Sequence, residues 1–293
     1  HLGMGKNVSK SSLARANQDR DYHIFEEYAY YLVSEARQKR VNHIFKLGGN
    51  VYAFDSTTID LCLSVFWWAK FRKKKGGIKV HTLYDVETQI PAFFHITEAS
   101  VHDSKAMIEI PYEPGSYYIF DRGYNNFKML NRIHLIEAYF VVRAKKNLQC
   151  KFIKWKRRLP KNVLSDASVL LTGFYPKQYY PEPIRLVKYW DEEQEREFIF
   201  ITNAMHISAL QVAELYKNRW QVELFFKWLK QHLRIKRFWG TTENAVRIQI
   251  YAAICTYCLV AIIQHDMQLD RSTYEVLQIL SISLTDKTHL KDL

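Results

Sequence analysis

The sequence predicts a mixed α/β fold, with one sheet flanked by helices and a β-rich insertion late in the chain. Two short apolar segments, residues 51–54 and 117–120, have the length of buried strands, and each leads directly into an aspartate. Between and after them, apolar residues recur at helical spacing. Strands that alternate with helices are typical of an α/β sheet, which predicts the fold class.

Composition and charge narrow the class of protein. The chain has 293 residues, 48% of them hydrophobic, which is enough for one large domain or two modest ones with a buried core. Its net charge of +12 favours a polyanionic partner, and nucleic acid more than an anionic membrane surface. The longest apolar run, residues 248–263, is shorter than the ~20 residues that span a bilayer, so it predicts a core helix and no membrane contact.

The elements of the first half follow from apolar periodicity and turn residues. Residues 1–45 are polar with helical spacing, which predicts an N-terminal helical segment. Gly76 and Gly77 mark a turn before strand-like residues 78–84. The remaining predicted elements are a strand at 90–97, a helix at 102–110, a strand at 117–120, a helix at 125–136 and a strand at 138–142.

The character of the chain changes after residue 142. Residues 143–203 combine short apolar runs with several prolines, which predicts a β-rich insertion. A single long helix is predicted from Ser208 to about residue 235, followed by another from about 243 to 266. The predicted organisation is therefore an N-terminal helical segment at 1–45, a core at 46–142 and 204–270, the insertion at 143–203 and a C-terminal segment at 271–293.

Basic residues are concentrated in two runs. Residues 143–161 carry nine lysines and arginines and no acid, and residues 70–79 carry six more. A solvated face is the usual explanation of such a run, but aromatic residues are interleaved in both, which favours contact with DNA phosphates. The candidate DNA contacts are Lys73, Lys74, Lys145, Lys146, Arg157 and Arg158.

Asp55 and Asp121 share a sequence context, since each follows a short apolar strand. Such strands are stiff and buried, so they hold the carboxylates that follow them in fixed positions, as a metal site requires. For a single aspartate after a strand, a turn or cap role is the commoner explanation. The pair therefore predicts a metal site only in combination with further ligands.

The predicted long helix supplies a third carboxylate. Tyr216, Arg219, Glu223 and Lys230 are spaced 3, 4 and 7 residues apart, within an arc of roughly 60° on one face. Taken alone, this helix is explained better as an ordinary amphipathic helix in which Arg219 and Glu223 form an i, i+4 ion pair. With Asp55 and Asp121, however, it completes the carboxylate set of two-metal phosphoryl transfer, and nearby cations suit bound phosphates.

These residues resemble a known family, the DDE transposases of bacterial insertion sequences, and within it the subgroup with a Tyr-Arg-Glu-Lys signature. The likeness extends over roughly residues 10 to 290. The motifs that carry it are Phe-Asp-Ser-Thr-Thr-Ile-Asp at 54–60, Asp-Arg-Gly-Tyr at 121–124 and Tyr216-x2-Arg219-x3-Glu223-x6-Lys230.

The resemblance implies an RNase H-like core with the β-rich insertion placed before the last catalytic helix. It implies that Asp55, Asp121 and Glu223 hold two Mg²⁺ ions, which Mn²⁺ can replace, and cut and rejoin DNA through a hairpin. Tyr216 would then grip phosphates near that hairpin, with Arg219 and Lys230. The family also implies transposon-end and target DNA as partners, a homodimer on DNA and a bacterial, nucleoid-associated cytoplasmic location. Relative to the family, we expect both termini to be truncated.

Several alternatives stay open from the sequence. The residues His81, His102, Asp60 and Asp103 are candidates to lie near the metals, although a structural role is favoured for each histidine. Trp155 and Trp190 are candidates to stack on a flipped base, although core packing is favoured for both. A DNA-binding remnant without catalysis and a nuclease of the same fold are the competing functions, and the Tyr-Arg-Glu-Lys strip disfavours the nuclease.

Overall fold

The computed structural model describes residues 8–40, 44–61, 64, 66–72, 75–232, 238, 240–271 and 273–283. Over these residues the chain is a mixed α/β protein whose ten strands form one sheet, in the order β2-β3-β1-β5-β6-β10-β9-β8-β7, with β4 paired to β3. The strands are β1 Val51–Leu61, β2 Lys70–Arg72, β3 Lys75–Asp85, β4 Ile90–Glu98, β5 Tyr117–Phe120, β6 Tyr139–Arg143, β7 Cys150–Trp155, β8 Val163–Leu171, β9 Ile184–Asp191 and β10 Arg196–Thr202.

Helices cover both faces of this sheet, because the strands alternate side chains toward two separate hydrophobic cores. The helices are α1 Lys10–Asp19, α2 His23–Lys39, α3 Phe127–Leu135, α4 Phe174–Tyr179, α5 Ala209–Lys217, α6 Trp220–His232, α7 Glu243–Asp266 and α8 Thr273–Ser283. One core lies under α2, α5, α6 and α7, and the other lies under α3, α4 and a 3-10 helix at Asp103–Glu109.

The centre of the sheet has an RNase H-like arrangement, as expected. Strands β4, β3 and β1 are antiparallel, and β5 and β6 continue the sheet parallel to β1. Phe54 of β1 is in register with Phe120 of β5, so the residues that follow them, Asp55 and Asp121, are neighbours. This register brings together two carboxylates that are separated by 66 positions in the sequence.

The prediction that Asp55 ends its strand is wrong. β1 continues to Leu61, because β3 pairs with it from Tyr52 as far as Leu61. The apolar run ends at Phe54, but the backbone ladder does not depend on the side chains that follow. Asp55 is therefore held inside a paired strand, which fixes its backbone more firmly than a strand end does.

The segment predicted to be β-rich consists of β7 to β10 with the short helix α4. These strands form an antiparallel series that joins the central sheet where β10 pairs with β6. Buried Arg185 on β9 donates to both carboxylate oxygens of Asp166 at 2.8 Å and to the carbonyls of Ala204 and Ile207 at 3.0 and 2.7 Å. This arginine ties β8 and β9 to the segment that leads into α5.

The prediction of a single long helix after Ser208 is wrong, because the structure has two helices there, α5 and α6, separated at Asn218 and Arg219. The N–H of Arg219 donates to the carbonyl of Tyr216, and that of Val222 to Arg219, which are the i→i−3 bonds of a tight 3-10 turn. Ser208 begins α5 with a capping box, as an N-cap serine does.

The apolar run near the C-terminus forms α7, as predicted. By length and composition α7 is the one helix among the described residues that could cross a membrane, and 61% of its apolar window is buried inside the protein. Its buried side chains belong to the larger of the two cores. Its packing is that of a core helix.

Candidate active site

Asp55 and Asp121 lie side by side on the face of the sheet that α5 and α6 cover. Phe54 and Phe120 are buried in the opposite core, and side chains alternate along a strand, so the next residues face α6. The side chain of Asp55 is 22% exposed. The local sequence thus places both carboxylates at the edge of the larger core with an opening to solvent.

Arg219 bridges two of the three predicted carboxylates. Its Nη1 donates to Oδ2 of Asp55 at 2.8 Å, and its Nη2 donates to Oε1 of Glu223 at 2.5 Å. The i, i+4 pair with Glu223 is the alternative that the helix alone favoured, and the structure contains it. The bond to Asp55, 164 positions away, adds what the helix alone did not predict.

Tyr216 completes the link to the third carboxylate. Its hydroxyl donates to Oδ1 of Asp121 at 3.0 Å, and its buried ring packs on Phe200 with the ring centroids 4.8 Å apart. The guanidinium carbon of Arg219 lies 5.7 Å from the centroid of the same ring. Hydrogen bonds and the contact of the Arg219 guanidinium with the Tyr216 ring therefore connect Asp55, Asp121 and Glu223 into one group, which we call the acidic cluster.

Burial and mutual repulsion disfavour the charged form of Asp55. The pKa of Asp55 is raised to about 6, mainly by burial and to a smaller extent by the nearby carboxylates of Glu223 and Asp121, against the opposing effect of Arg219. Burial also acts on Asp121, but the N–H of Arg122 and the hydroxyl of Tyr216 hold the pKa of Asp121 below its ordinary value. The cluster therefore needs a cation, and Arg219 supplies one.

The donor set of the acidic cluster fits a divalent ion. All three candidate ligands offer carboxylate oxygens, which Mg²⁺ and Mn²⁺ prefer, and two of them already bind a cationic group. In the part of the chain that the structure describes, no three acidic, histidine or cysteine side chains stand close enough to surround one ion as they are now placed. Arg219 and Tyr216 lie between the carboxylates instead.

The other predicted site residues are the basic side chains expected to contact DNA. Lys230 is half-buried on α6, two turns beyond Glu223. Lys73 and Lys74 fall outside the described residues. The remaining predicted DNA contacts are all exposed on the segment that leads into β7 or just beyond it: Lys145, Lys146, Arg157 and Arg158.

A second polar group, missed in the sequence, lies behind Asp55 on the opposite face of β1. The hydroxyl of Ser56 bonds to Oδ1 of Asp103 at 2.7 Å, and Nζ of Lys79 lies 3.0 Å from the same oxygen. Asp103 therefore does not join the carboxylates of Asp55 and Glu223. Two-residue alternation along β1 was the available signal, since Ser56 must face away from Asp55.

The two candidate histidines have structural roles, as favoured from the sequence. Burial lowers the pKa of His81 to about 4, and its Nε2 lies 3.0 Å from the hydroxyl of Thr97. His102 caps the 3-10 helix that follows it, where its side chain accepts from the N–H of Ser104. Neither ring forms part of the acidic cluster.

The expectation that Trp155 and Trp190 are core residues is wrong, because they are 57% and 38% exposed. Trp155 lies at the end of the edge strand β7 and stacks on Phe152, with ring centroids 4.9 Å apart and planes 8° from parallel. Position on an edge strand, which periodicity does not reveal, accounts for the exposure of Trp155.

A cleft of about 910 Å³ opens next to the acidic cluster, between the β9–β10 hairpin and helices α5 and α6. Tyr216, Arg219 and Glu223 are among the residues that line it. Arg143 and Arg196 also line it, with their guanidinium carbons 4.8 and 4.3 Å from the centroid of the Phe198 ring. The cleft thus places additional guanidinium groups near the cluster, together with the acidic side chains of Asp191, Glu192, Glu193 and Glu214.

Comparisons with known proteins agree on one family. Residues 46–259 match the model of the transposase DDE domain. The chain is 36% identical over 231 residues to a protein of Sinorhizobium fredii named as the transposase y4zB, covering 76% of this chain and 63% of that protein. It is 27% identical over 249 residues to one from Geobacillus stearothermophilus named for the transposase of element IS5377, covering 85% and 66%.

A third relative, from Synechocystis, is named for the transposase of element IS4SA. It is 25% identical over 297 residues, covering 97% of this chain and 80% of that protein. The chain therefore spans 63% and 66% of the length of the first two relatives.

Proposed function

This chain belongs to the DDE transposases of insertion sequences, and from that premise we propose that it cleaves and rejoins DNA at the ends of its element, with Asp55, Asp121 and Glu223 as the catalytic carboxylates. The observation that carries the proposal is the acidic cluster. Three carboxylates from distant parts of the chain meet through Arg219 and Tyr216 beside an open cleft that is lined by both arginines and acidic side chains.

The family generally uses divalent metal ions, and Asp55, Asp121 and Glu223 are the residues that would hold two Mg²⁺ or Mn²⁺ ions here. When bound, such ions activate the attacking oxygen and stabilise the leaving oxygen in phosphoryl transfer. The chain's own contribution is to fix the carboxylates. Paired β1 and β5 place the two aspartates next to each other, and α6 carries Glu223, which is linked to Asp55 through Arg219.

The DNA backbone is proposed to run along the cleft. Arg219 and Lys230 provide cations and Tyr216 a hydroxyl donor, which suit phosphates crowded by a hairpin bend. The proposal includes these phosphate contacts. It also includes a hairpin intermediate, strand transfer and a homodimer on DNA. The core at 46–142 and 204–270 would carry the chemistry, and the insertion at 143–203 would carry part of the DNA contact.

A cleavage assay tests this function directly. The substrate is an end-labelled duplex that carries one inverted repeat flanking the gene, incubated with the full-length protein in Mg²⁺, in Mn²⁺ or in EDTA. We expect cuts at the element boundary with either ion and none in EDTA. Binding of the duplex without cleavage in any metal would instead support a DNA-binding remnant without catalysis.

A further inference from the structure

Arg219 occupies the carboxylate oxygens that the proposed function assigns to metal ions. One guanidinium nitrogen bonds to Asp55 and another to Glu223, so both side chains already bind a full positive charge. A guanidinium keeps its proton at any physiological pH. The contact is therefore a fixed cation on the cluster and not a transient protonation state.

The hydrogen bonds of Arg219 to the acidic cluster do not use all the donors of its guanidinium group. Its side chain is 15% exposed, yet its buried Nε has no hydrogen-bond partner within the described residues. An unsatisfied buried donor costs about 1–3 kcal/mol. Arg219 thus retains unused capacity to bind an anion, and it lines the cleft where the DNA backbone is proposed to lie.

We propose that Arg219 exchanges between the acidic cluster and a DNA phosphate, so that divalent ions and DNA bind to this site cooperatively. This inference rests on the proposed function and adds the condition under which metal ions bind to the acidic cluster. A divalent ion and a guanidinium repel each other at this range, so an ion binds well only after Arg219 leaves. A phosphate offers the paired oxygens that a guanidinium fork binds best, which gives Arg219 a destination.

Reciprocity follows from this exchange. If a phosphate that holds Arg219 raises the affinity of the cluster for metal, metal raises the affinity for that phosphate by the same factor. Without DNA, Arg219 keeps the carboxylates neutralised and the ions weakly held. We therefore expect the active site to bind its metal ions tightly only when DNA is bound.

The test measures Mn²⁺ binding to the DNA-free full-length protein, with the concentration of free Mn²⁺ determined by electron paramagnetic resonance. We expect weak binding by the wild type and binding at least about tenfold tighter by Arg219→Gln. Arg143→Gln is the matched control, because it removes an equal charge from the same cleft, where Arg143 lies over the Phe198 ring. The gain should vanish in the double variant with Glu223→Gln, since the extra ion binds at the cluster.

A measurement on unsubstituted Arg219 guards against misfolding of the variant. Mn²⁺ is titrated into the complex of the wild type with element-end DNA and into the same complex of Glu223→Gln. Subtracting the ions bound by the second complex from those bound by the first removes the ions that the DNA itself binds. We expect a tight site in the first complex only. Equal affinities of the wild type and Arg219→Gln, an equal gain in Arg143→Gln, or no DNA-dependent site would overturn the exchange. Metal-dependent cleavage of element ends despite such a result would leave the proposed function intact.

Discussion

Glu223→Gln is expected to abolish nicking, hairpin formation and strand transfer together, lowering each rate by about 1,000-fold or more. The glutamine keeps the shape of the side chain but loses the charge that a metal ligand needs. Glu223 is the one acidic residue of α6, and it is linked through Arg219 to Asp55. Every chemical step is proposed to use this cluster, so no step should survive.

The matched variants separate metal binding from phosphate binding. Glu27→Gln, at an exposed position on α2, removes the same charge outside the acidic cluster and the cleft and should retain cleavage. Arg219→Ala and Lys230→Ala should leave part of the first-strand nicking while depressing hairpin formation and resolution. The measurement is a denaturing gel of an end-labelled element end, with nicks and hairpins scored separately. Loss of nicking in the Arg219 and Lys230 variants as complete as in Glu223→Gln would contradict a phosphate role for them.

DNA binding is expected to weaken steeply with salt, and neutralising the exposed basic residues near β7 should flatten that dependence. The variant replaces Lys145, Lys146, Arg157 and Arg158 with glutamine. These side chains are exposed and form no ion pair within the described part of the chain, so they are available to displace counterions from DNA. Each phosphate contact contributes about 0.9 to the slope of log affinity against log salt, so the slope should fall by as much as about 3.6.

The control for this experiment is a triple variant of Lys105, Lys128 and Lys177. These exposed lysines lie on the 3-10 helix, α3 and α4, on the sheet face opposite the acidic cluster. Their replacement lowers the net charge by a similar amount but should leave the slope nearly unchanged. Equal slopes for the wild type and the quadruple variant would mean that this basic segment does not contact DNA.

The carboxylates were predictable from the sequence, whereas the side chains that link them were not. An aspartate after a short apolar run stands out locally, and a helix of known period reveals the face that carries Glu223. The bond from Arg219 to Asp55 spans 164 positions, so only the folded chain reveals it. The same limit hid the group formed by Ser56 and Asp103 behind β1.

Two element boundaries were missed for local physical reasons. The helical periodicity of Tyr216, Arg219 and Glu223 persists through the break between α5 and α6, because one tight turn changes the phase of the side chains little. The rise in polarity after Phe54 predicts that β1 ends there. Pairing with β3 extends β1 beyond that point, and this long-range contact has no signature in the apolar pattern.

The central claim is that Asp55, Asp121 and Glu223 together hold the catalytic metal ions. Replacing Mg²⁺ by Fe²⁺ in the complex with element-end DNA, then adding ascorbate and peroxide, generates radicals that cut the polypeptide next to bound iron. The account predicts cuts in β1 near Asp55, after β5 near Asp121 and at the start of α6 near Glu223, all competed by excess Mg²⁺. Cuts at other positions, or cuts near these residues that persist in Glu223→Gln, would contradict it.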